Sequence, residues 1–341
     1  MKVKIMLAAA AILGIFSAGS ASGSENKNDR INVIFETDYG NDADDAIALD
    51  AILKYCDAGR MKLLGVSTHK GGDNICPAVD ATLTWYGYGK VPLARSPRPV
   101  GSGDGNGYAD SVALKRDASG RIAFAQAHKG RYEDAIAFYR RTLSRQKDSS
   151  VVVISVGFGT NLALLLESGP DKYSPLTGRE LVARKVRLLS IMAGDYREKP
   201  FVEFNVSKDI PAMRKVFAEW PTDILENPFE IGERVVCPSS VINERLAWGR
   251  PHPLLCAFNG LNPNPHNQAA FDVMSVIALV HPEMFSHSEP GTITIDAQGY
   301  NHFAPSATGR HRYLYTNEAQ DAALQKLIIK IVSTKPKNFR K

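Results

Sequence analysis

The chain has 341 residues, 41 of them basic and 36 acidic, for a formal net charge of +5. So small an excess over that length argues against a polyanion-binding surface, and no nucleic-acid partner is expected. The length suits one large α/β domain or two small ones, and the four cysteines (Cys56, Cys76, Cys237, Cys256) follow no zinc-binding spacing.

The opening stretch, MKVKIMLAAAAILGIFSAGSASGSE, reads as a secretory signal over residues 1–21. Lys2 and Lys4 give the basic start, Ile5 to Phe16 the apolar core, and Gly19-Ser20-Ala21 the small-residue cleavage site. The apolar run is short for a membrane span, so a cleaved leader is favoured over a retained anchor. The mature protein is then expected to be secreted or periplasmic, without membrane association. In such a compartment one or two disulfides and buried free thiols both fit the four cysteines.

Residues 22–31 read as a linker, and Asn32 to Val332 as a single domain. Within it, apolar runs alternate with helical patterns. INVIFET precedes a helix from Ala43 to Cys56, and MKLLGVST precedes CPAVDATLTWYG. RYEDAIAFYRRTLSR leads into SVVVISV, a β-branched run suited to a strand covered on both faces. TNLALLLES, KVRLLSIMAG, IPAMRKVFAEW, AAFDVMSVIALVHPEMF and AALQKLIIKIV follow. This alternation predicts an α/β fold, a mostly parallel sheet flanked by helices on both faces. The glycine-rich segment Ser96–Gly130 fits no dinucleotide-binding pattern, and either a mobile flap or an inert surface loop suits it. The basic tail, residues 333–341, is expected to fray.

The stretch that demands explanation is INVIFETDYGNDADDAIALDAIL, where a strand runs into Glu36, Asp38, Asp42, Asp44 and Asp45 before an apolar helix. Carboxylates this close repel one another and resist desolvation. The helix dipole relieves part of that repulsion, and a hard cation with oxygen ligands, Ca2+ above all, would relieve the rest. An EF-hand loop counted from Asp38 fails, because Ala43 stands where glycine is required and Leu49 where glutamate is. A phosphatase pair is also poor, since its first member is Glu36.

ETDYGNDADDAIAL resembles the N-terminal fingerprint of the nucleoside hydrolase family, of the inosine–uridine-preferring type. Three further stretches fall in family order: VGFGTNLALLL, LSIMAGDYREKPFVEFNVSKDIPA and AAFDVMSVIALVHPEMF. The resemblance implies a Ca2+ held by Asp38, Asp45, the carbonyl of Thr160 and Asp272. It makes Asp38 the general base toward water and gives the ribose hydroxyls to Asp44, Glu203 and Asn205, with Asn74 on the loop after the second strand. The implied reaction cleaves the N-glycosidic bond of a ribonucleoside, and the family's habit implies a dimer or tetramer.

Three departures stand out. Two extra residues separate Gly40 from the Asp44-Asp45 pair, leaving Asp42 as a spare carboxylate. Glu36 replaces the usual aspartate. Phe271 stands where the family often places the histidine that protonates the leaving base, and a phenyl ring donates no proton. His69, His252, His266 and His302 are the candidate replacements, with His266 and His302 preferred. Trp85, Trp220 and Trp248 suit either base stacking or the core. Two alternatives to nucleoside cleavage remain, a hydrolase of another ribosyl or glycosyl compound and a non-catalytic sugar- or nucleoside-binding protein that keeps the metal site.

Overall fold

A computed structural model of the chain describes residues 30–101, 103, 105–262 and 266–339. The expected signal sequence and most of the expected linker lie outside the described residues. The first strand, β1 (Ile31–Thr37), shows the fold's logic. Val33 and Phe35 pack into one apolar cluster with the helix Asp44–Asp57, while Ile34 points to a second cluster with Phe138 and Leu162. Alternate side chains thus meet helices on opposite faces, which is why the run is apolar at nearly every position.

The remaining strands are β2 (Met61–Lys70), β3 (Leu93–Val100), β4 (Glu133–Asp134), β5 (Val151–Ser155), β6 (Val186–Met192) and β7 (Asp223–Asn227). They continue with β8 (Val236–Cys237), β9 (Gln268–Ala269), β10 (Ser286–His287), β11 (Gly291–Ile295), β12 (Asn301–Pro305) and β13 (His311–Tyr315). The main sheet runs β12-β11-β13-β7-β6-β5-β1-β2-β3-β4, with β10 beside β13, while β8 and β9 form a separate pair. Every pairing from β4 through β13 is parallel, and β10, β11 and β12 add an antiparallel edge. The expected α/β class, a mostly parallel sheet in one large domain, is the one observed.

From β1 the chain steps outward to β4, then returns to the other side of β1 and steps away through β5, β6 and β7. The C-terminal ends of β1 and β5 therefore flank a topological switch point, where open α/β sheets form their crevice.

Two expectations are revised. Ser96–Gly130 is neither a free flap nor inert, because it buttresses the acidic loop. Tyr108 N–H donates to Gly40 O at 3.1 Å, and its ring packs edge-on against Tyr39 at 5.0 Å. Gly40 has φ +118°, and a Cβ there would sit 2.7 Å from Asn106 O, so only glycine fits. The tail does not fray through Phe339, whose ring stacks on Trp85 at 4.4 Å, while Lys337 N–H donates to Asp57 at 2.6 Å. All four cysteines are free thiols.

Candidate active site

β1 ends at Thr37, and the next eight residues bring four aspartates to the mouth of the crevice. Asp44 and Asp45 open the helix Asp44–Asp57 and are buried in its first turn. Asp272 sits in the first turn of the helix Phe271–Val280, and its N–H donates to Asp44 Oδ2 at 3.1 Å. Residues 228 positions apart are thereby joined. Asp42, left spare by the sequence, places a carboxylate oxygen within 4.8 Å of those of Asp44 and Asp45.

Burial and mutual repulsion push Asp38, Asp44, Asp45 and Asp272 toward the protonated form. Burial raises Asp38 to about 6, with Asp42 adding to the rise and His69 and Lys70 opposing it. Asp44, Asp45 and Asp272 lie well above the ordinary carboxylate range, first through burial and then through one another and their neighbours. The Asp44 Oδ1 atom is buried without a hydrogen-bond partner. An orphaned carboxylate oxygen amid several others fits a divalent cation with oxygen ligands. The acids have only partial compensation of their own: Thr37 Oγ1 donates to Asp45, Asn41 Nδ2 to Asp38, and Lys70 Nζ to Asn41 Oδ1 at 2.6 Å.

A cavity of about 390 Å³ opens over this cluster, with Asp38, Asp42, Asp44, Glu203, Asn205 and Asp272 in its wall. Glu203 caps the helix Phe204–Lys208, accepting from Asn205 N–H at 2.9 Å and Val206 N–H at 3.2 Å. Burial nevertheless lifts its carboxyl to about 8. Asn205 Nδ2 is steadied by Met192 O at 3.3 Å. A larger depression of about 980 Å³ lies elsewhere, but its carboxylates, Asp110 and Asp117, are tied to Asn74 and Ser119. The chemistry-bearing groups converge on the smaller one.

Beneath the acids lies a buried polar network. Glu36 accepts from His69 Nδ1 at 2.7 Å, Tyr139 Oη at 2.5 Å and Asn161 Nδ2 at 2.7 Å. His69 Nε2 accepts from Phe158 N–H at 2.7 Å, so the ring proton resides on Nδ1. The longer glutamate reaches three donors at once, which accounts for its place in the motif.

The structure does not bring every expected residue to the cavity. Asn74 starts the helix Ile75–Trp85 and donates to Asp110 at 2.8 Å, away from the wall. Thr160, expected through its carbonyl, turns its hydroxyl to Asp209 at 2.6 Å and is not among the residues of the cavity wall, which Val156, directly after β5, borders. His302 is on the exposed edge strand, bonded to Asp296 at 2.9 Å, and His266 stacks on Phe258 at 4.4 Å. Neither lines the cavity, and neither do His69 and His252. Trp85 and Trp248 pack together at 5.9 Å, and Trp220 donates to Thr222 at 2.9 Å. Asn41 and Val156 were missed: an asparagine in an insertion and a main-chain position carry no distinctive pattern.

Residues 33–331 match the family of inosine-uridine preferring nucleoside hydrolases. The chain belongs to that family. A nucleoside hydrolase cleaves the N-glycosidic bond of nucleosides, and the carboxylate-lined crevice is where that chemistry belongs. Similar solved structures share the fold at low identity. A plant nucleoside hydrolase, PpNRh1, is 17% identical, with a TM-score of 0.64 over 89% of this chain and 99% of that one. An inosine-uridine preferring nucleoside hydrolase from Bacillus anthracis is 17% identical, with a TM-score of 0.62 over 88% and 99%. A purine-preferring ribonucleoside hydrolase from Gardnerella vaginalis is 14% identical, with a TM-score of 0.67 over 89% and 98%. No curated protein sequence matches significantly.

Proposed function

We propose that this nucleoside hydrolase is a Ca2+-dependent N-ribosyl hydrolase, exported by its leader and acting on a small ribosyl substrate. The observation that carries the reading is the convergence of Asp38, Asp44, Asp45 and Asp272, with the unpartnered Asp44 Oδ1 among them. Asp38, Asp45, Asp272 and the main chain at Val156 would hold the cation, with Asp42 in reserve. Bound there, Ca2+ would offset the repulsion of the acids and make a nearby water more acidic.

Asp38 accepts the proton of the water that attacks the anomeric carbon. Its orientation comes from Asn41, which Lys70 holds in turn. Asp44, Glu203 and Asn205 grip the ribose hydroxyls, fixing the reacting carbon in line with the water. Such positioning lowers the entropic part of the barrier. Glu203 is well suited to that task, because its own helix N-terminus anchors the carboxyl at two N–H groups.

Calorimetry on chelator-stripped protein tests the reading. One Ca2+ per chain is expected to bind, with ribose release restored on its addition. No calcium uptake would reject the metal site, and near-normal turnover in Asp38→Ala would reject the base. N-terminal sequencing of exported protein should begin at Ser22, and sedimentation should report a dimer or tetramer.

A further inference from the structure

The cavity is polar on one part of its wall and aromatic on the rest. Phe204, Phe229 and Phe271 line it together with Val156 and Met192. Phe229 and Phe271 stack with centroids 4.7 Å apart and planes 24° from parallel. Phe201 meets Phe229 edge-on at 4.8 Å. These rings already attract cations of the chain itself. The Arg197 guanidinium lies 4.9 Å from the Phe229 centroid and 5.1 Å from that of Phe201, and Lys208 Nζ lies 4.5 Å from that of Phe204. The charge of Arg197 is matched by Asp195 and Glu233.

Among the described residues lining the cavity there is no histidine, lysine, arginine, tyrosine or cysteine. Its proton-bearing groups are carboxyls and the amides of Asn41 and Asn205. The aspartates are those that would hold the cation, and Glu203 is fixed by two backbone N–H groups. A neutral purine or pyrimidine leaves as an anion unless something protonates it, and nothing on the phenylalanine wall does so.

We propose that the preferred substrates are ribosyl compounds whose leaving group is a cationic aromatic nitrogen heterocycle, the N-ribosylpyridinium class. This rests on the hydrolase reading above. When the C1′–N bond of such a compound breaks, its electron pair returns to the ring nitrogen and the heterocycle departs neutral. Water supplies the oxygen to C1′, and its proton passes to Asp38 and then to solvent. No proton is needed on the leaving side. The flat cation gains from the excess of carboxylates in the wall, beside an aromatic lining that suits a planar ring.

Steady-state kinetics of the Ca2+-loaded protein on N-ribosylnicotinamide, inosine and uridine decide the matter. The pyridinium compound should exceed the neutral nucleosides in kcat/KM by about 10²–10⁴-fold, the usual worth of a general acid. Phe271→His should raise kcat on inosine, and Phe229→Leu should raise KM for the pyridinium compound more than for inosine. Equal or faster turnover of inosine or uridine by the unmodified protein would overturn the proposal and leave the hydrolase reading standing. Release of ribose from none of the three would overturn both. If Phe229→Leu shifted KM equally for cation and neutral nucleoside, the aromatic part of the argument would fall.

Discussion

His69 Nδ1 donates to Glu36 Oε1 across 2.7 Å, with both side chains sealed from solvent. The pair ties the end of β1 to the end of β2, directly under the carboxylate cluster. It also reaches β5's exit, because His69 Nε2 accepts from Phe158 N–H. Gly157 completes the packing, since a Cβ there would lie 2.6 Å from Asp38 Oδ1 and would collide with the His69 ring. His69→Leu leaves the Phe158 N–H without an acceptor and Glu36 one donor short. The orphaned N–H costs about 1–3 kcal/mol, while Glu36 keeps Tyr139 and Asn161 as donors. Urea unfolding at saturating Ca2+ should show the loss, and Gly157→Ala should lose turnover as well by displacing Asp38.

The metal-free protein should become less stable as pH rises. Asp38 moves from 3.8 to about 6 and Glu203 from 4.5 to about 8, both chiefly through burial. The folded state therefore holds protons that the unfolded state has released, so stability falls through those windows. For Asp38, a rise of roughly two units corresponds to about 3 kcal/mol lost by neutral pH. Thermal melts in chelator from pH 4 to pH 8 should show a declining Tm. Ca2+ should reverse the decline, because the cation replaces protons as the counter-charge. A Tm that climbed with pH in chelator would contradict the assignment.

How far these features could be read from the sequence depends on what each residue's role requires. β1 and β5 were legible because burial on both faces demands unbroken apolar runs. β3 (LARSPRPV) was not, since arginines and prolines near the sheet's end read as loop. The antiparallel edge was missed for a related reason: GTITI alternates buried with exposed positions, HRYLY buries only its first and fourth residues, and short half-exposed segments resemble connections. At the site, the acids and Glu203 announce themselves by charge. Val156, which borders the cavity, does not, because an apolar residue at a strand's exit has no distinctive signature. His302 lies on an exposed edge strand away from the cavity wall, which is a property of topology and not of its neighbours in sequence.

Asp45→Asn should separate metal binding from stability. Asp45 is buried, repelled by Asp38 and Asp42, and held by Thr37. Removing its charge relieves repulsion in the metal-free state, so the variant should melt above the parent protein in chelator at pH 7. With excess Ca2+ the order should invert. The parent gains about 2.7 kcal/mol at a ligand concentration 100 times Kd, and the variant gains far less. Differential scanning calorimetry with and without Ca2+ reads both halves. A variant less stable than the parent in both conditions would mean that Asp45 is structural.

Phe339 offers a control distant from the chemistry. Its ring stacks on Trp85 at 4.4 Å and tilts against Trp248 at 5.3 Å, closing an aromatic cluster that also holds His252. His252 is driven down to about 3 by burial there, so the imidazole stays neutral and needs the apolar cover. Phe339→Ala opens that cover and should cost about 2–4 kcal/mol, somewhat less than a fully buried phenylalanine because the residue is only partly buried. Water reaching His252 would also let it protonate in the folded state, sparing the variant the acid destabilisation that the parent's depressed imidazole causes, so the loss should shrink below about pH 6. Because none of these residues lines the acidic cavity, KM and kcat measured well below the melting temperature should match the parent. A change in KM with unchanged Tm would instead tie the C-terminal segment to the site.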